Sequence, residues 1–375
     1  MSPNKGGGLE SCNKCGLCYV ACPIGRELYL ERFTPRGRIQ LKRAYENGEL
    51  VIDPILKDVY STCLLCGACQ EVCPSGVNTK ELIMEMRAEI SRVTKTEAPL
   101  SNLLSNIEEY GNIAGEDNAE RSDWVEEEEF LIKKGKSEFI YFVGCVSSFY
   151  PTVQNIPLYL SRIMKRSQID FIILGSDEYC CGFPLILEGL WNEFDRLKEH
   201  NLEIIKNMEA KNILFSCPSC LTTWRRYYDI DIPLIHHTQL LKELVEDGRI
   251  RFKEVELRVI YHDPCDLGRE GHIYDAPRYI LRSIPGITLL EFERTKALSY
   301  CCGGGGNLES THPELSRRIA ENRIDEAIGL GAEIILSACP QCVRTLKSSS
   351  IKGKKDIKVM ELTEFIYPLI SYPSE

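Results

Sequence analysis

Every one of the eighteen cysteines of this 375-residue chain belongs to a repeated, regularly spaced motif. A short motif, CxxCxxCxxxCP, occurs twice, with Cys12, Cys15, Cys18 and Cys22 in one copy and Cys63, Cys66, Cys69 and Cys73 in the other. A longer motif of five cysteines also occurs twice, with Cys145, Cys180, Cys181, Cys217 and Cys220, then Cys265, Cys301, Cys302, Cys339 and Cys342. Thiolates at such spacing indicate metal binding, and the short motif is typical of iron–sulfur clusters.

Two other uses of cysteine fit this pattern poorly. Disulfide frameworks suit small secreted domains, whereas this chain is long and its N-terminus, MSPNKGGGLE, has neither a hydrophobic signal core nor a twin-arginine pair. Structural zinc usually takes two separated pairs of ligands, which CxxCxxCxxxCP does not provide. No apolar run approaches the ~18 residues of a membrane span. The sequence therefore predicts a cytoplasmic chain, whose association with a membrane would come through a partner subunit.

The net charge of −10 is concentrated in one stretch. Between Glu116 and Glu129 there are eight acidic residues and one basic residue, Arg121. Such a run is usually a solvated face, so we predict a partly extended acidic linker. The chain has no basic stripe of the kind that binds nucleic acid, and we expect no nucleic-acid partner.

The longer motif belongs to a repeat of about a third of the chain, since equivalent cysteines lie 120 to 122 residues apart. Each copy alternates strand-like and helix-like segments, which predicts parallel α/β sheets with the cysteines beyond the carboxyl ends of the strands. The predicted strands are 139–143, 171–174, 212–216, 258–261, 288–292 and 333–337, and the predicted helices are 39–47, 158–166, 188–208, 276–283 and 313–328.

The predicted fold class is an α+β multidomain protein. A mostly helical two-cluster ferredoxin-type domain (1–98) and an acidic linker (99–136) precede two tandem α/β domains (137–250 and 251–375) related by pseudo-twofold symmetry. In two-cluster ferredoxins the fourth cysteine of each motif binds the other cluster. We therefore predict one cubane [4Fe–4S] cluster on Cys12, Cys15, Cys18 and Cys73, and another on Cys63, Cys66, Cys69 and Cys22.

Each long motif has one cysteine more than a cubane requires, and a vicinal pair could bridge irons in an extended cluster. Gly182 and Gly303 follow the two pairs and allow backbone geometry that a side chain would block, so we predict that they help to bind the cofactor. Redox-active vicinal disulfides and zinc are the alternatives for these motifs.

The chain resembles the family of D subunits of heterodisulfide reductase and, more broadly, proteins with paired CCG domains. The resemblance rests on the two ferredoxin motifs, the two complete five-cysteine motifs, and the segments HDPCDLG at 262–268 and YDAPR at 274–278. It implies a noncubane [4Fe–4S] cluster in each CCG domain. The clusters would flank a disulfide of the CoM-S-S-CoB type, and the ten CCG cysteines would be catalytic as cluster ligands of an oxidoreductase acting on a sulfur group.

The resemblance extends to proteins with another role. Iron–sulfur subunits of glycolate, lactate and glycerol-3-phosphate dehydrogenases share this layout and pass electrons from a flavoprotein. A third hypothesis is that the chain relays electrons in another anaerobic redox complex. Partners would be a membrane cytochrome b-type subunit or a flavoprotein, with a small disulfide as substrate. Gly303–Gly306 lacks the spacing of phosphate or dinucleotide loops, so we expect neither flavin nor NAD on this chain. We interpret these glycines as residues that let the backbone approach the nearby cluster closely.

A few residues outside the cysteine motifs are further candidates. His262 could pass a proton to a nascent thiolate, although a strand-end histidine satisfied by backbone is the preferred interpretation. Four arginines near the motifs could bind an anionic substrate or form surface ion pairs: Arg225, Arg226, Arg269 and Arg344.

Overall fold

Helices dominate the first hundred residues, as predicted. The computed structural model describes residues 7–96, 98–125 and 136–372. The helices of the ferredoxin-type domain are α1 Pro23–Leu28, α2 Pro35–Glu46, α3 Pro54–Ser61, α4 Ala68–Glu71 and α5 Thr79–Val93. The side chains of Thr34 and Asp53 cap α2 and α3 by accepting hydrogen bonds from backbone N–H groups, and a proline begins each helix. Both features stabilise a helix start.

Two four-stranded parallel sheets form the rest of the chain, which confirms the predicted α/β character. Their strands are β1 Lys136–Phe142, β2 Phe171–Ile173, β3 Glu209–Phe215 and β4 Leu234–His236, then, after the short β5 Arg251–Phe252, β6 Leu257–His262, β7 Ile287–Leu290, β8 Ile334–Ser337 and β9 Lys358–Glu361. The strand orders β2-β1-β3-β4 and β7-β6-β8-β9 are the same arrangement. A last strand, β10 Ile370–Ser371, pairs antiparallel with β5.

The helices of the two CCG domains also correspond. They are α7 Cys145–Phe149, α8 Asn155–Arg166, α9 Phe183–Ile186, α10 Trp191–Lys206, α11 Pro218–Tyr227 and α12 His237–Glu246, then α13 Asp275–Arg282, α14 Leu308–Thr311, α15 Pro313–Gly329, α16 Pro340–Lys352 and α17 Leu362–Ile366. Helix α8 packs on α17 and α12 packs on α13. Because α8 is equivalent to α13, and α12 to α17, these contacts are reciprocal, as a pseudo-twofold axis requires.

The described part of the predicted partly extended linker contains more folded structure than the sequence suggested. Helix α6 Leu100–Tyr110 buries Leu100 and Ile107, and Asn112, Arg121 and Trp124 are also buried. The acidic side chains between them remain exposed. The sequence composition predicted solvation correctly, but burial of the intervening residues fixes the backbone. Residues 126–135 of the predicted linker and the N-terminal residues 1–6 lie outside the described residues.

One core of buried apolar side chains joins the ferredoxin-type domain mainly to the second CCG domain, with Leu187 of the first CCG domain also in it. It contains Leu64 and Met86 from the ferredoxin-type domain and Leu308 and Leu346 from the second CCG domain. A separate core lies between the two CCG domains, and a third fills the first of them. The ferredoxin-type domain therefore packs asymmetrically on a nearly symmetric pair. Within the described parts of the chain, no helix combines the length and apolarity needed to cross a membrane.

Candidate metal centres

Four cysteines of the long motifs follow the central strands of the sheets. Cys145 and Cys217 lie just beyond β1 and β3, and Cys265 and Cys339 lie just beyond β6 and β8. Cys217 and Cys339 are the N-cap residues of α11 and α16, each with a proline at the first helical position. The positive end of a helix dipole stabilises a thiolate. Each Cys-Pro pair thus places a candidate ligand sulfur at a helix start.

The vicinal cysteine pairs lie in tight loops that require the glycine after them. Gly182 and Gly303 have φ angles of +84° and +97°. A Cβ atom at Gly182 would collide with Phe194 of α10, and one at Gly303 would lie 2.5 Å from the carbonyl oxygen of Ser316 in α15. The neighbouring helices are thus what excludes a side chain. The Gly182 and Gly304 N–H groups donate to the sulfurs of Cys180 and Cys302 at 3.5 and 3.4 Å.

Both long motifs converge on one cavity of about 530 Å³ between the CCG domains. Nine of their ten cysteines line it: Cys145, Cys180, Cys181, Cys217, Cys220, Cys265, Cys302, Cys339 and Cys342. Cys301 hydrogen-bonds with Cys265 and Cys302 beside this lining. Across the domain boundary, Cys217 hydrogen-bonds with Cys339. The pseudo-twofold arrangement therefore places the two five-cysteine sets face to face.

The chemistry of these thiols fits bound metal. Hydrogen bonding with Cys180 lowers the pKa of Cys181 to about 6, whereas hydrogen bonding to Cys181 raises the pKa of Cys220. Hydrogen bonding with the neighbouring thiol likewise lowers the pKa of Cys217, beside Cys220, and the pKa of Cys302, beside Cys301. Both pKa values lie well below that of an ordinary thiol. Neighbouring buried thiols share protons because several anions cannot coexist in a low-dielectric site. Metal cations would remove that restriction, so the residues fit an iron–sulfur cluster.

The short motifs exchange their fourth cysteines in space. Cys12, Cys15, Cys18 and Cys73 line one small cavity, and Cys22, Cys63, Cys66 and Cys69 line another. Cys15 is exposed, whereas Cys22 is buried and its pKa is raised by burial to about 11. The first set therefore lies nearer the surface than the second.

The second ferredoxin-type set is in contact with the second CCG site. Cys66 hydrogen-bonds with Cys301, which lowers the pKa of Cys66 to about 6. The glycines after Cys302 make this approach possible, because a Cβ on Gly305 would lie 2.8 Å from the carbonyl oxygen of Leu64. The sequence predicted that these glycines approach the nearby cluster, whereas the backbone that Gly305 approaches most closely belongs to the ferredoxin-type domain. Although a Gly305 Cβ would also lie 4.0 Å from the Cys301 sulfur, its nearest neighbour is the Leu64 carbonyl.

His262 is buried at the second CCG site, and the preferred interpretation of it was wrong. Its Nδ1 accepts a hydrogen bond from Arg323 Nε at 3.4 Å, and among the described residues its Nε2 has no hydrogen-bond partner. Candidate ligand atoms of His262, Cys302 and Cys342 lie within 4.8 Å of one another. His262 is therefore a candidate metal ligand at the second CCG site.

Only one of the four candidate arginines lines the large cavity. That residue is Arg344, which pairs with Glu309 and lies 4.5 Å from the Tyr150 ring centroid. Arg225 donates to the Leu234 carbonyl and Arg226 pairs with Glu81. Arg269 is buried and donates to the Cys66 carbonyl oxygen at 2.6 Å, so it joins two domains.

Sequence reasoning missed a group of buried charged residues around the cysteines. Asp266 lines the cavity, accepts from Ser219 Oγ at 2.6 Å, and lies 3.8 Å from Lys80 Nζ. Arg121 pairs with Glu178 at 2.8 Å beside Cys145. The one available signal was Arg121, which is the only basic residue in an acidic run.

Comparison with known proteins agrees with this architecture. The 4Fe-4S dicluster domain family matches residues 8–77, and the cysteine-rich domain (CCG) family matches residues 139–225 and 259–347. The D subunit of the dihydromethanophenazine:CoB–CoM heterodisulfide reductase of Methanosarcina acetivorans is 32% identical over 94% of this chain and 92% of that protein. The Methanosarcina mazei protein of the same name is 31% identical over 96% of this chain and 93% of its own length.

The chain belongs to the family of heterodisulfide reductase D subunits. It is an iron–sulfur oxidoreductase with a 4Fe-4S dicluster domain and two CCG domains, as the resemblance implied.

More distant relatives share the same layout. The EtfAB:quinone oxidoreductase of Syntrophomonas wolfei is 28% identical over 96% of this chain and 58% of that protein. A solved structure of a hypothetical protein from Helicobacter pylori has a TM-score of 0.53 and 10% identity, covering 88% of this chain and 66% of that one. That likeness concerns the fold alone.

Proposed function

We propose that the chain is the catalytic subunit of a complex that reduces a disulfide of the type formed by coenzyme M and coenzyme B. The convergence of both five-cysteine motifs on one cavity carries this proposal. Two clusters facing each other could each receive one sulfur of a substrate held between them. An electron carrier that held the same two clusters would also need room for them, so turnover of a disulfide is what separates the two functions.

The proposed cofactors are two cubane clusters on the ferredoxin-type sets and a noncubane [4Fe–4S] cluster on each five-cysteine set. Bound clusters would supply electrons one at a time. Cys66 and Cys301 bring the second ferredoxin-type set into contact with the second CCG site. Flavin and NAD would stay with a partner, which we propose to be a flavoprotein or a membrane cytochrome b-type subunit that holds this cytoplasmic chain at a membrane.

The protein's own residues would position the substrate and its protons. Reduction of a disulfide takes up two electrons and two protons and releases two thiols. The hydroxyl group of Ser219 lines the cavity and donates its proton to Asp266, so its oxygen can accept a hydrogen bond from a released thiol. Lys352 and Arg344 line the same cavity and are suited to an anionic arm of the substrate.

The test is turnover of the CoM–CoB disulfide by anaerobically reconstituted protein with reduced viologen as donor. We expect turnover in the wild type and a loss of at least 100-fold in Cys301→Ser. Iron content and the cubane EPR signals are the internal control, since both cubanes must persist in the variant. Absence of turnover in fully loaded wild-type protein would contradict the proposal.

The second candidate is an electron-transfer subunit that serves a flavoprotein. It is favoured by the similarity to the EtfAB:quinone oxidoreductase. A flavoprotein donor that reduces the cubanes, in loaded protein that turns over no disulfide, would select this function.

A further inference from the structure

The single basic residue of the acidic run reaches the first CCG site. Arg121 lies in a short 3₁₀ helix, Asn118–Ser122, and only 2% of it is exposed. Its Nη2 donates to the sulfur of Cys145 at 3.6 Å, and its Nη1 donates to Glu178 Oε1 at 2.8 Å. A guanidinium group from outside the sheet thus contacts one of the five cysteines.

Several contacts fix this guanidinium in place. Arg121 Nε donates to Asn118 Oδ1 at 3.3 Å, and Asn118 in turn donates to the carbonyl oxygens of Ser176 and Glu178. Glu178 accepts from the N–H groups of Val143 and Gly144, both at 2.8 Å. The Arg121 guanidinium also lies 5.1 Å from the Phe149 ring centroid. The segment therefore holds Arg121 against the loop that begins α7.

The second CCG site differs at the equivalent position. Among the described residues, Cys265 receives no such hydrogen bond from an arginine. Ser299 stands in the second repeat where Glu178 stands in the first, two residues before the vicinal cysteines. Buried Arg269 interacts electrostatically with Cys265 and Cys301, but its described hydrogen bonds go to the carbonyl oxygens of Cys66, Ala297 and Ser299. The hydrogen bond from an arginine to a ligand sulfur therefore distinguishes the first site from the second.

We propose that Arg121 is a positioning residue that raises the reduction potential of the cluster held by Cys145, Cys180, Cys181, Cys217 and Cys220. This inference rests on the proposed binding of a cluster by those cysteines. Hydrogen bonds to the ligand sulfurs and nearby positive charge stabilise the reduced, more negative form of a cluster. Because Cys145 and Arg121 are buried, water screens the interaction little.

The proposal also assigns a direction to electron flow within the pair of CCG sites. Electrons reach the second site first, since Cys66 contacts Cys301 there. A higher potential at the first site would then draw an electron across the cavity, past Cys339 and Cys217. The acidic segment, through its one arginine, would control that transfer.

The test is an EPR-monitored redox titration of full-length, iron-loaded protein. In Arg121→Gln we expect the midpoint potential of one CCG cluster to fall by at least 59 mV, a tenfold change in a one-electron equilibrium. The other three clusters should keep their potentials. Arg121→Lys retains the charge but cannot bond Glu178 and Cys145 together as a fork does, so we expect a smaller fall.

The matched control is Arg196→Gln, which removes an arginine of the same domain that is 64% exposed and paired with Glu108. It should shift no potential. Unchanged midpoints in both loaded Arg121 variants would overturn the inference, as would loss of the cluster in both, because Arg121 would then serve assembly alone. Wild-type protein that binds no cluster in the CCG domains would instead contradict the proposed function.

Discussion

At the scale of single residues, buried arginines join the three domains. Arg87 of α5 contacts all of them: its Nη1 lies 3.1 Å from Glu188 Oε1 and 3.0 Å from the Gly306 carbonyl oxygen, and its Nη2 lies 2.7 Å from the Cys63 carbonyl oxygen. Removal of one partner of a buried ion pair leaves the other charge unpaired. Arg87 is therefore a point where one substitution affects the whole assembly of domains.

We expect Arg87→Met to lower the apparent free energy of unfolding by about 3–5 kcal/mol, because Glu188 and two or more carbonyl groups lose their partner. Methionine preserves most of the apolar volume. The control is Arg92→Met in the same helix, where the arginine is 67% exposed and paired with Glu89, and we expect a change within about 0.5 kcal/mol. Denaturant unfolding measures both. Equal effects of the two substitutions would contradict the role of Arg87.

A second prediction at this scale concerns His236. Burial, followed by the neighbouring His237, lowers the pKa of His236 well below its usual 6.5, so the folded protein holds it neutral. The unfolded chain binds the proton more readily, and stability is therefore lost as the pH falls below about 6.5, by at most about 1.4 kcal/mol per pH unit. His236→Asn keeps a side-chain cap for α12 and should flatten this acid dependence.

The matched control for His236 is His272→Asn. His272 is exposed and has a φ of +55°, a conformation that asparagine tolerates. Unfolding free energies measured between pH 5 and 7 should show the same acid dependence for this control and the wild type. A His236→Asn variant with the wild-type slope would contradict the prediction.

At the residue level, the sequence groups residues best where chemistry imposes spacing, and the binding of clusters by those residues stays a prediction. The cysteines and Gly182 and Gly303 follow from ligand and loop geometry that recurs within the chain. Arg121 and Glu178 lie 57 residues apart, and no local pattern connects them. Their contact depends on the fold of the segment between α6 and β1, which composition alone described as solvated.

At the scale of elements, the alternation of strands and helices was predictable because apolar periodicity changes with each element. Helix α15 was predicted to within one residue at its end. Helix α6 was missed although Leu100, Leu103, Leu104 and Ile107 have the i, i+3, i+4, i+7 spacing of an amphipathic helix. A linker was predicted here because an acidic run follows this segment.

The loop Gly303–Gly306 supports a prediction about domain packing. Gly306 has a φ of +63°, and a Cβ there would collide with the carbonyl oxygen of Cys63. We expect Gly306→Ala to lower Tm by several degrees and to slow electron transfer from the ferredoxin-type domain to the CCG sites, because the loop must move away from Cys63. Thermal unfolding and rapid-freeze EPR of loaded protein measure the two effects.

The matched control is Gly329→Ala in α15 of the same domain. A Cβ at Gly329 meets nothing within 4 Å. Alanine in a helix is favoured over glycine by up to about 1 kcal/mol, so this variant should be neutral or more stable. If Gly306→Ala matched it in Tm and in transfer rate, the close packing of the loop would not matter for either.

At the scale of the whole molecule, the two CCG domains form a nearly symmetric pair, and the ferredoxin-type domain packs on that pair asymmetrically. The repeat in the sequence predicted the pair, and Tyr159 of α8 stacks on Tyr367 beyond α17 at their boundary with ring centroids 4.5 Å apart. The close approach of the ferredoxin-type domain to the cysteine loop of the second CCG domain could not be predicted. It depends on Gly305 and Gly306, which have no counterparts in the first repeat, where proline and leucine follow Phe183.

This asymmetry predicts an order of reduction. Because Cys66 contacts Cys301, the second CCG cluster should accept electrons from the ferredoxin-type domain before the first. Rapid-freeze EPR after mixing with a limiting reductant should therefore show the two CCG signals in sequence.

Cys181→Ser, in the first set, should leave reduction of the second cluster at the wild-type rate. Cys302→Ser, in the second set, should slow reduction of the first cluster at least tenfold, since its path from Cys66 would be broken. Iron content and cubane signals must match in both variants. Equal rates at the remaining CCG cluster would mean that electrons enter the pair of domains by a route that does not pass through Cys301.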